Sequence, residues 1–113
     1  MTITQLKEEL AHSIKQLQAS VDAFADKVKL DPDYEMGWAG DVFTVAARLK
    51  VAQVTLAMLA KHDLEEVTAE TRREVIRSAR SPQHSTSPCS NLMSLCRGSA
   101  MAEMLEMLEK VSK

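Results

Sequence analysis

Apolar residues recur along the first thirty positions with the spacing of a helix. Ile3, Leu6, Leu10, Ile14, Leu17, Val21, Phe24 and Val28 step by three or four residues throughout, which sets them in one stripe along a long amphipathic helix. Lys7, Glu8, Lys15, Gln18, Asp22 and Asp26 take the rest of the circumference. Thr2 or Thr4 can cap its start. Asp31-Pro32 ends it, because the residue before a proline is pushed out of helical geometry. The stripe would suit a coiled-coil seam, and the further helices in this chain favour a seam inside one bundle.

Residues 31–40 form a connector of turn formers that holds Tyr34 and Trp38 among three acids. Asp41 then reads as the N-cap of a second helix running to about His62. This helix carries two apolar stripes. One is Val42, Val45, Leu49, Ala52, Leu56 and Leu59; the other is Phe43, Ala47, Val51, Val54 and Met58. A helix apolar on two sides has neighbours on both, so the second helix should be central or should touch a second protomer.

A break follows at His62-Asp63. Asp63 with Glu66 fits a capping box, and Thr68 reads as the stronger cap of a third helix ending near Arg80, with Val75, Ile76 and Ala79 as its short apolar face. Ser81 to Ser87 is polar and aperiodic, a mobile Ser/Pro loop. Ser87-Pro88 reads as N-cap and N1 proline of a fourth helix. Leu92, Cys96, Ala100, Met104, Met107 and Val111 share one line of it, and Met93, Met101, Leu105 and Leu108 the next. Gly98 either weakens this helix or admits a close neighbour. The pattern predicts an all-α fold over residues 1–113: a single domain of about four helices, with a long N-terminal helical hairpin covered by two further helices.

Composition agrees. Aromatics are 4% of the 113 residues, and Gly and Pro number three each, too few for a strand-rich fold. The net charge of −2 gives no general drive toward nucleic acid or membranes. It is unevenly spread, however. Met1–Ala47 has four lysines against eight acids, whereas Arg48–Arg97 has eight basic residues against five acids, so a local basic patch is conceivable. No apolar run approaches the roughly 20 residues of a membrane span, and the first residues lack a signal-peptide pattern. Cys89 and Cys96 are seven apart, about 10 Å along a helix and too far for a disulfide. Reduced cysteines suit a cytoplasmic protein. The histidines and carboxylates show no metal-ligand spacing, and no cofactor motif occurs.

Four constellations carry the candidate chemistry. Met93, Met101, Met104 and Met107 crowd the fourth helix, where flexible thioethers can adapt to a protein partner, although filling an irregular core is the commoner use. Tyr34 and Trp38 can anchor a partner, but aromatics in such connectors more often close the end of a bundle. Arg73, Arg77 and Arg80 line one face of the third helix, beside Arg72, and with His84 could hold phosphates. The plainer reading is a solvated face paired with the acidic first helix and connector. Cys89 with His84 at a helix start suggests an anion site or a reactive thiol, yet no third group completes a triad.

The expectation is therefore a non-enzymatic adaptor, regulator or inhibitor that binds a protein partner, or a second copy of itself as a homodimer, through an apolar helix face. Anion or nucleic-acid binding through the third helix and residues 80–90 is the alternative.

Overall fold

The computed structural model describes residues 1–30, 39–80 and 88–111, with side chains described for 1–26, 42–78 and 94–111. Four helices account for nearly all of it: α1 (Ile3–Leu30), α2 (Ala39–Lys61), α3 (Leu64–Arg80) and α4 (Pro88–Glu109). There is no strand among the described residues. The fold is an all-α helical bundle.

Local chemistry sets the helix starts. The Thr2 amide donates to Gln5 Oε1 at 2.9 Å and the Gln5 amide donates to Thr2 Oγ1 at 3.2 Å, a reciprocal capping box that satisfies two otherwise unpaired N–H groups. Asp63 caps α3: the Glu66 amide donates to its Oδ1 at 2.8 Å. Glu65 and Glu66 then place negative charge in the first turn, where the helix dipole favours it. Proline opens α4 at its first position, where its missing N–H costs nothing.

The helices pack in the spatial order α1, α2, α4, α3, and α2 touches each of the other three. Its contact with α3 is slight, and α3 leans mainly on α4. Thr44 lies against Cys96 and Arg48 against Glu103, so α2 and α4 run parallel. Arg72 reaches Glu109, while Glu74 and Arg97 line one groove, so α3 runs antiparallel to α4.

Among the described residues, the core gathers at one end. Leu6 and Leu10 of α1, Ala52 and Leu59 of α2, Val67 of α3, and Met104, Leu108 and Val111 of α4 form one buried cluster. It sits where α1 starts, α2 turns into α3, and α4 finishes. Away from that end the α1 stripe loosens, with Ile14, Leu17, Val21 and Phe24 only half-buried. Leu95 of α4 is 71% exposed and Ile76 of α3 is 43% exposed.

Several expectations need correction. Asp41 is the third residue of α2, not its cap, since the helix already starts at Ala39. Thr68 is not the cap of α3. Its hydroxyl donates to the Leu64 carbonyl at 2.7 Å inside the helix, the local bond that serine and threonine make when no free N–H is in reach. The packed face of α3 runs through Leu64, Val67, Thr71 and Val75, leaving Ile76 outside. Gly98 admits no close neighbour, because a Cβ there would meet nothing within 4 Å. Finally, Val42–Lys61 is by length and composition apolar enough to cross a membrane. Arg48 and Lys50 break the uninterrupted run without lowering its average below that of a span. The predicted Ser/Pro loop at 81–87 lies outside the described residues.

A candidate docking groove on the second helix

The two apolar stripes of α2 meet different fates. Leu49, Ala52 and Leu59 of the first are buried, with Thr55 beside them as the buried polar residue. Phe43, Ala47, Val51 and Met58 of the second are only half-buried, and Val54 is 44% exposed. The cause is the arrangement of the neighbours. α3 leans on α4 and touches α2 only slightly, so Val54 is left exposed while Val51 and Met58 pack partly against the core cluster.

What remains is an open groove of about 330 Å³ between α2, α3 and α4. Val51, Val54 and Met58 of α2 and Met101 of α4 supply its apolar lining. The charges around it are divided. Glu70 and Glu74 of α3 stand on one wall, each paired within its own helix, Glu70 with Arg73 at 3.3 Å and Glu74 with Arg77. Lys50 of α2 and Arg97 of α4 stand on the other. Neither has an ion pair or a hydrogen bond among the described residues, whereas Arg48, Arg72, Arg73 and Arg77 all do. From Val42 to Lys61, α2 carries Arg48, Lys50 and Lys61 and no acid at all.

A second groove, of about 370 Å³, opens between α1 and α4 over α2. Leu10, Leu17, Ala52, Met104 and Met107 line it, but Ser13, Gln16 and Ser20 make one rim polar and the Arg48–Glu103 pair, at 3.1 Å, spans the opposite side. It is the seam of the bundle at the point where α1 begins to part from α4.

The structure disperses the residues singled out in the sequence. Met104 belongs to the core. Met107 lines the α1/α4 groove and Met101 the α2/α3/α4 groove, so the methionines of α4 do not form one face. Met93 lies within α4 with its side chain outside the described residues, as does that of Cys89; Tyr34, Trp38 and His84 lie outside them altogether. Arg73 and Arg77 are exposed and paired with the glutamates of α3, and Arg72 with Glu109 of α4 at 3.1 Å. Among the described residues their partners are therefore on α3 and α4 and not on the acidic first helix, and the acidic connector lies outside the described residues. Arg80 ends α3, its side chain also beyond description. Cys96 is free and half-buried, 3.5 Å from Thr44 Oγ1. No group of three or more metal-ligating side chains is found among the described residues.

The residues that emerge instead are Lys50, Val54, Met58 and Arg97. Their signal in the sequence was the second stripe of α2 and the absence of acids from Val42 to Lys61. No protein-family model matches the chain, and neither the curated proteins nor the solved structures return a match.

Proposed function

We propose that this chain is a non-enzymatic interaction protein that receives the apolar face of a partner helix in the groove between α2, α3 and α4. The observation that carries this reading is the half-open second stripe of α2, with Val54 at its exposed crest and Met58 and Met101 beside it. An apolar stripe at helical spacing along a groove is what a helix-in-groove interaction uses, with anchors at i, i+3, i+4 and i+7. Methionines at the floor can repack around differing partner side chains. The exposed part of the stripe contributes little to folding, so the chain tolerates it only at the cost of an apolar surface facing solvent.

An uncharged environment-sensitive dye tests the reading. Saturable binding to the wild-type chain, weakened at least about tenfold in a Val54→Asp/Met58→Asp variant of unchanged helicity, is the expected result. Binding of equal strength to both proteins would place the apolar site elsewhere and contradict it.

A further inference from the structure

We propose that the helix this groove receives is acidic along one flank, recognised by Lys50 and Arg97. The inference rests on the docking reading above and adds the partner's charge. The two walls of the groove are not electrically equivalent. Each glutamate on the α3 wall is already balanced by an arginine one turn away, Arg73 for Glu70 and Arg77 for Glu74. The α2/α4 wall has the two cations without a partner among the described residues, Lys50 and Arg97, both beside the apolar lining. Lys61 extends the same sign along α2, which has no acid from Val42 onward to offset it.

A helix laid on Val51, Val54, Met58 and Met101 would bring its flanking positions over this wall. Carboxylates there would gain charge-assisted hydrogen bonds to an ammonium and a guanidinium. Lysines there would meet like charge while partly desolvated. A partner that lacked flanking charge would leave both cations without a counter-charge from the described residues at the rim of an apolar contact. Complementary charge of this kind selects the partner and speeds encounter more than it adds raw affinity.

The experiment uses the full chain and two labelled synthetic helical peptides with one identical apolar stripe at i, i+3, i+4 and i+7. One peptide carries glutamates along its flank and the other lysines, and binding is read by fluorescence anisotropy at low salt. The acidic peptide should bind on the order of tenfold more tightly, and high salt should narrow the gap. The Lys50→Glu/Arg97→Glu variant, altered only at surface positions, should reverse the preference. Equal binding of the two peptides, or a preference unchanged in that variant, overturns the charge assignment while leaving the apolar groove standing. The groove itself fails if neither peptide binds, or if Val54→Asp/Met58→Asp binds both as well as wild type does.

Discussion

Leu10 and Leu17 occupy equivalent places on the α1 stripe, seven residues apart, and the same truncation at each should have different consequences. Leu10 is 1% exposed within the core cluster. Cutting it to alanine removes buried carbon and leaves a cavity enclosed by neighbours from other helices, a loss of about 3 kcal/mol. Leu17 is half-buried and faces the groove between α1 and α4. Leu17→Ala removes the same atoms, but they face an open groove that solvent can enter. Its cost is nearer 1 kcal/mol, the transfer term for a partly buried side chain with no enclosed cavity. Domains of this size are stable by only about 5–15 kcal/mol, so the first change is a large part of the total. Urea unfolding followed by circular dichroism at 222 nm measures both. With a typical slope for a small domain, Leu10→Ala should lower the midpoint by roughly 1–3 M and Leu17→Ala by less than about 1 M. Equal losses would refute the conclusion that the core is concentrated where α1 begins.

Three further outcomes follow from local geometry. Asp63→Ala should cost about 1 kcal/mol by uncapping α3, while Thr68→Ala should cost less than about 0.5 kcal/mol; paired urea titrations separate the two. Gly98→Ala should stabilise the chain by about 0.5–1 kcal/mol, seen as a higher thermal midpoint, because the added methyl meets no neighbour and glycine is a poor interior helix residue. The Arg48–Glu103 pair links α2 to α4 at the surface with about half of each side chain exposed, so a double-mutant cycle should give a coupling below about 1 kcal/mol that fades in high salt.

Much of the fold is legible in the residues because helical periodicity is a strong signal in helices this long. The α1 stripe, the Asp63 cap and the Pro88 start all correspond to the observed elements, while the predicted Asp31-Pro32 stop lies outside the described residues. Which Thr or Asp caps a helix is less legible, since Thr2, Thr4, Asp41, Asp63 and Thr68 all offer an oxygen and backbone context decides among them. Periodicity likewise identified two apolar stripes on α2 without saying which one the bundle would leave open. That depends on where α3 settles, and α3 leans mainly on α4. The methionines of α4 misled for a related reason. Helical twist carries Met101, Met104 and Met107 to one groove, the core and another groove, although all three look alike in the sequence. The arginines of α3 read as a basic face, but the glutamates one turn away neutralise it.

The central claim is that partner binding occurs on the second stripe of α2, and methionine methyls report it residue by residue. In a protein labelled at its seven methionine methyl groups, titration with the acidic helical peptide should shift the signals of Met58 and Met101. Met104 in the core and Met107 on the far side of α4 should stay in place. Shifts concentrated at Met107, with Met58 and Met101 unmoved, would put the docking site in the α1/α4 groove and contradict the account.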